Sequence, residues 1–170
     1  MSSQYVLNVP YVSQVNYGNP NNPQSDPFGC WYASCCMISY FYEAGPRLGH
    51  PEAFAAGHQG NTSRGITGAE YPQFIKNEEL RQLSIPSSKK FTADELEQAL
   101  RDNGPLYTRI LVAYKGGKYG HIIVVVGVIG DHVIAHDPAK GPNQQYTLAK
   151  FNEAFNWQWN SAYSLMCKDR

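Results

Sequence analysis

The chain has 170 residues, 42% of them hydrophobic and only 16% charged, with 14 basic residues set against 14 acidic ones. That length suits a single domain, residues 1–170, with a hydrophobic core, and the composition argues against disorder. There is no basic stripe to hold nucleic acid or an anionic membrane, and the longest apolar run, Ile122 to Val126, is far too short to insert across a bilayer.

The four cysteines, Cys30, Cys35, Cys36 and Cys167, form no C-x-x-C pair, which argues against a zinc or thioredoxin-type site. An even count in a chain of this length does not make a disulfide framework, so reduced thiols are expected. The stretch Met1–Tyr5 has no basic region followed by an apolar run, so no cleaved secretory signal is expected. The remaining routes are a specialised secretion system or residence in the cytoplasm.

In chain order, Tyr5 to Gln14 reads as extended, with Pro10 confined to an edge or a strand end. Val15 to Gly29 is a long loop of Asn, Pro and Gly. A helix is expected from Cys30 to about Glu43, apolar nearly all round and therefore central, and stopped by Gly45-Pro46. Pro51 to Ala56 is compatible with a short helix, and Tyr71 to Leu80 with another. Thr92-Ala93-Asp94-Glu95 is a capping box, followed by the stripe Leu96, Ala99, Leu100 and a stop at Gly104-Pro105.

After Pro105 the hydrophobic period changes. Leu106–Ala113 reads as a strand, Lys115–Gly120 as a glycine-rich loop, and His121–Ile129 as a strand buried on both faces. Gly130-Asp131 turns the chain into a strand His132–Asp137. Pro138–Asn143 reads as a turn, Gln144–Thr147 as a strand, Leu148–Phe155 as a short helix with Phe151 and Phe155 facing the core, and Ser161–Cys167 as a closing strand. Helices followed by an antiparallel sheet make an α+β arrangement.

Three residues carry the chemistry. Cys30 falls in the first turn of its helix, beside free backbone N–H groups and the positive end of the helix dipole, conditions that favour a thiolate nucleophile. His121 enters an apolar strand, and Asp137 ends the next one. Across the hairpin Asp137 comes close to the level of Ile123, diagonal to His121 and within side-chain reach. An Asp there could orient the imidazole as the third member of a triad. Each residue has a plainer reading: a small packed thiol, a core histidine bonded to backbone, and a turn-capping carboxylate. His132 and His136 share a strand face but lack a third metal ligand, and alternation points His136 away from Asp137.

The ordered pieces Val9-Pro10-Tyr11-Val12-Ser13-Gln14, Gly29-Cys30-Trp31-Tyr32-Ala33-Ser34-Cys35, Gly104-Pro105-Leu106, Gly120–Gly127 and His136-Asp137-Pro138 resemble the papain-like cysteine proteases. The resemblance is greatest to the avirulence-type effector proteases of plant pathogens and to the double-glycine-leader peptidases and their relatives. It implies Cys30 as nucleophile, His121 as general acid and base, and Asp137 as orienting residue. It also implies a papain-like fold in which an N-terminal helical lobe carrying the Cys packs on an antiparallel sheet lobe carrying His and Asp. The family places a Gln upstream of the Cys as oxyanion donor. Gln14, which ends a family-like motif, is preferred here over Gln24, which lies six positions before Cys30. The Val15–Gly29 insertion could form a wall of the cleft, and Trp157 and Trp159 either shield the His–Asp pair or simply pack.

The expected activity is that of a cysteine endopeptidase, secreted as a bacterial effector or toxin, with a protein or peptide substrate. No metal or organic cofactor is implied, a monomer is expected, and a host or target-cell activating factor stays open as a partner. The rivals are a papain-like peptidoglycan amidase and a non-catalytic peptide-binding module.

Overall fold

The switch in hydrophobic period after Pro105 divides the molecule into helix-rich and strand-rich stretches. A computed structural model describes residues 4–14, 29–42, 66–114, 116–155 and 163–170. Along these the chain runs β1 (Gln4–Val6), α1 (Cys30–Tyr42), a 3-10 turn (Gly68–Glu70), α2 (Tyr71–Glu78), β2 (Leu80–Gln82), α3 (Ala93–Asn103), β3 (Leu106–Tyr114), β4 (Gly117–Ile129), β5 (His132–Asp137), β6 (Gly141–Thr147), α4 (Leu148–Ala154) and β7 (Leu165–Lys168). The strands form one antiparallel sheet in the order β2-β7-β3-β4-β5-β6. The expected α+β class is the one found.

β4 is the centre of the sheet because residues 121–128 are buried without a break and need cover on both faces. One face supplies Ile122, Val124 and Val126 to a core with α1, where Trp31, Tyr32, Met37 and Ile38 are wholly buried. The other supplies Val125 and Val128 to a core with Leu96 and Leu100 of α3 and Phe151 and Phe155 at α4. Phe151 and Phe155 meet edge to face at 5.6 Å, as their spacing predicts. Along one edge β4 pairs with β3 as far as Leu106↔Val125, and there β1 takes over, with Val6 opposite Gly127. Leu7 N–H donates to Val126 O at 2.8 Å and closes the junction.

Several boundaries differ from the sequence reading. Residues 117–120, expected as part of a loop, are strand: β3 and β4 stay paired to Tyr114↔Gly117, and Gly116 turns the chain at φ +81°. The glycines there suggest coil, but the ladder to β3 satisfies their backbone groups and extends the strand. For the same reason β6 starts at Gly141, inside the expected turn. α2 ends at Glu78 because Glu79 takes a left-handed conformation at φ 53°, so Leu80 opens an unexpected strand against β7. Only Gln4–Val6 of the extended N-terminal stretch is a paired strand. The expected helix Pro51–Ala56 and the stretch 15–28 lie outside the described residues. The capping box is present, with Glu95 N–H donating to Thr92 Oγ1 at 3.1 Å and Thr92 N–H donating to Glu95 Oε1 at 2.9 Å.

A Cβ on Gly127 would stand 2.8 Å from both Tyr5 O and Val6 Cγ2. Gly127→Ala should therefore push β1 off β4 and lower stability by about 1–3 kcal/mol, measured by urea unfolding. The fastest-exchanging new amides should be those of β1 and Leu7; unchanged protection there would contradict the packing.

Candidate active site

Cys30 is the first residue of α1, and Ala33 N–H donates to Gly29 O at 3.0 Å, so Gly29 is the capping residue. The backbone N–H of Cys30 thus belongs to the orphan donors of the first turn. Cys30 is half-buried, whereas Trp31 to Tyr40 are buried. One turn on, Ser34 Oγ donates to Ile122 O at 3.4 Å and ties this helix to β4 next to His121.

His121 is buried at 7% exposure and Asp137 at 2%. His121 Nε2 donates to Asp137 Oδ1 at 2.7 Å. The Cys30 side chain lies close enough to the imidazole to influence it. The structure therefore brings Cys30, His121 and Asp137 together in the order the sequence suggested.

The register of β4 against β5 explains how the pair meets. Val125 faces Ala135, but Gly127 faces Ile134, so β4 carries one extra residue, Val126. Counted straight from Ile129↔His132, Asp137 would oppose Val124 and point away from His121. With the bulge, Val124 opposes His136, Asp137 falls level with Ile123, and it shares a face with His121. The same face holds Ile110, Ile123 and Ala135, a small buried cluster beside the pair.

The pair is electrostatically complementary. Burial alone would lower the His121 pKa, but the hydrogen bonds to Asp137 and to Cys30 and the charges of both outweigh it and push the imidazole up to about 10. Burial likewise opposes ionisation of Asp137, yet the hydrogen bond and charge of His121 and the backbone N–H groups of Ala139 and Lys140 hold it below the usual carboxylate range. Ala139 N–H donates to Asp137 Oδ1 at 2.9 Å.

Gln14 is buried, and its backbone N–H donates to Pro138 O at 3.1 Å. This places it at the end of β5, one residue beyond Asp137. Gln24, Trp157 and Trp159 lie outside the described residues. His136 is no part of the cluster: its Nε2 donates to Val9 O at 2.8 Å while Nδ1 accepts from Asn143 N–H at 3.1 Å, which fixes a neutral tautomer. His132 pairs with Asp131 at the surface. Among the described residues no group of three His, Cys, Asp or Glu is placed to hold a metal ion.

Tyr11 escaped the sequence reading. Its hydroxyl lies 2.8 Å from Asp137 O and 3.1 Å from Pro138 O, and its ring meets that of His136 edge to face at 5.8 Å. The signal for it lay in two pieces, Val9–Gln14 and His136-Asp137-Pro138, which are far apart in sequence and adjacent in space.

The model of the papain-like cysteine protease AvrRpt2 family matches residues 4–156. The chain belongs to that family. It is a papain-like cysteine peptidase. A crystal structure described as a C39-like peptidase from Bacillus anthracis has the same fold, with a TM-score of 0.61, 15% sequence identity and 96% of each chain covered.

The raised His121 pKa has a readable sign. Its contribution to stability is fully present below the ordinary pKa of 6.5 and is lost as pH rises through about 10. NMR of the ring should show His121 still protonated at neutral pH. Asp137→Asn should lower its titration midpoint more than Cys30→Ala does, because the bond to Asp137 is the largest raising influence. Thermal stability of the wild type should fall between pH 6.5 and about 10, and this fall should shrink in Asp137→Asn. A His121 midpoint near 6.5 would contradict the pairing.

Proposed function

We propose that the chain is a cysteine endopeptidase acting through Cys30, His121 and Asp137, with Gln14 as an oxyanion donor. The observation that carries this reading is the imidazole of His121, bonded through Nε2 to a buried carboxylate and close to the side chain of a helix-initiating cysteine. Cys30 Sγ attacks the peptide carbonyl and forms a C–S bond. The resulting oxyanion takes hydrogen bonds from the Cys30 backbone N–H and the Gln14 side-chain amide, donors that serve charge present only in the transition state. His121 gives its proton to the leaving amine as the C–N bond breaks. It then takes a proton from water, which attacks the thioester; the C–S bond breaks, the acid leaves, and the sulfur and the imidazolium return to their starting state.

Asp137 holds the ring so that one nitrogen always faces the sulfur, the orienting role such a carboxylate plays in a triad. The avirulence-type family supports a further part of the proposal: the enzyme is an effector that leaves its bacterium through a specialised secretion system and cleaves proteins in another cell.

Turnover of a quenched peptide library, with mass-spectrometric detection of products, tests the reading. Cys30→Ala and His121→Ala should abolish cleavage. Asp137→Asn should lower kcat by about 10²- to 10⁴-fold, and Gln14→Ala by about 10²- to 10³-fold, while Gln24→Ala should leave it unchanged. Cleavage that survives Cys30→Ala would overturn the proposal. So would release of muropeptides from murein sacculi with no peptide cleavage, since that is the activity of an amidase.

A further inference from the structure

A cleft of about 110 Å³ opens beside Cys30, lined by Trp31, Ile66, Tyr71, Arg109, Gly120 and Ile122. Among these lining residues Arg109 is the one cation. Arg109 stands directly opposite Ile122 on β3 and β4, so its side chain points to the face that Ile122 and Gly120 share. The guanidinium lies across Gly120: a Cβ there would sit 2.9 Å from Arg109 Nε and 3.1 Å from Nη2. The missing side chain of Gly120 is what lets a planar cation lie on the strand one residue before His121. Among the described residues no carboxylate pairs with Arg109.

We propose that Arg109 is a specificity residue, and that the cleft takes the carboxylate side chain of an acidic substrate residue next to the scissile bond. The proposal rests on the endopeptidase reading above. The cleft has several times the space that one water needs, room for a short acidic side chain. A guanidinium offers a fork of donors that matches a carboxylate. The Tyr71 ring stacks on Tyr163 at 4.7 Å and forms a firm wall. Arg109 acts on binding of the substrate and does not enter the bond-making steps.

The test uses capped, amidated peptides that differ only in Glu, Gln or Lys at each position around the cleaved bond. At one position the Glu peptide should show a kcat/KM on the order of 10-fold higher than its Gln twin. Arg109→Gln should bring the ratio to one. Arg109→Lys should keep part of the preference, and Arg109→Glu should turn it towards Lys. Lack of a Glu preference at every position, or a preference that survives Arg109→Gln, would overturn the proposal. The same pairs, titrated by calorimetry onto Cys30→Ala protein, read the cleft without turnover. Equal affinity for Glu and Gln peptides there would sink the acidic subsite and leave the peptidase reading in place. Failure of the peptidase reading looks different: the wild type would cleave nothing while the binding preference persisted.

Discussion

A carboxylate at 2% exposure can stay ionised only if its charge is answered locally, and Asp137 is answered by His121 at 2.7 Å and by the Ala139 N–H at 2.9 Å. The imidazole is buried too, so neither partner can exchange the other for water without a large desolvation penalty. That mutual dependence requires both side chains on one face of the sheet. The single extra residue Val126 provides it, because strand alternation has a period of two and one inserted residue reverses the facing of everything beyond it. The bulge is thus what brings the two side chains to one face of β4 and β5.

The N-terminal segment locks this arrangement from outside. Leu7 bonds to Val126 at the bulge, Val9 O accepts from His136, Tyr11 Oη reaches the carbonyls of Asp137 and Pro138, and Gln14 N–H donates to Pro138. His136 is therefore a clamp between the segment and β5, held neutral by burial and by having both ring nitrogens occupied. Gly127 belongs to the same design, since only a residue without a side chain lets β1 lie so close to β4.

Much of this was legible in the chain. The capping box fixes α3, the apolar run fixes β4 as a two-faced strand, and Gly29-Cys30 marks the start of α1, because each is a local signal with a local cause. Non-local effects were not legible. The extra residue Val126 leaves no mark in an unbroken run of valines and isoleucines. The extension of β4 through Gly117 depends on β3, and β2 exists because β7 offers it an edge. The hairpin brings Asp137 near the level of Ile123, and it is the bulge that makes Ile123 its level in place of Val124. Tyr11 was unreadable as a neighbour of Asp137 because only the fold brings residues so distant in sequence together.

The helix that carries Cys30 needs the same rigidity as the pair it faces, and it is anchored at two points. Near its start, Ser34 Oγ donates to Ile122 O. Towards its end, the buried Lys168 Nζ donates to Ser39 Oγ at 3.1 Å and to Glu78 O at 3.0 Å, joining α1, the end of α2 and β7. An ammonium beside the last carbonyls of α2 complements that helix's dipole and satisfies an acceptor that would otherwise be orphaned. Ten consecutive buried residues, Trp31 to Tyr40, fill the space between the two anchors, so α1 cannot slide or turn without opening the core. The thiol of Cys30 is thereby held at the imidazole by packing along the whole helix. The first turn of α1 stays half-open at Cys30.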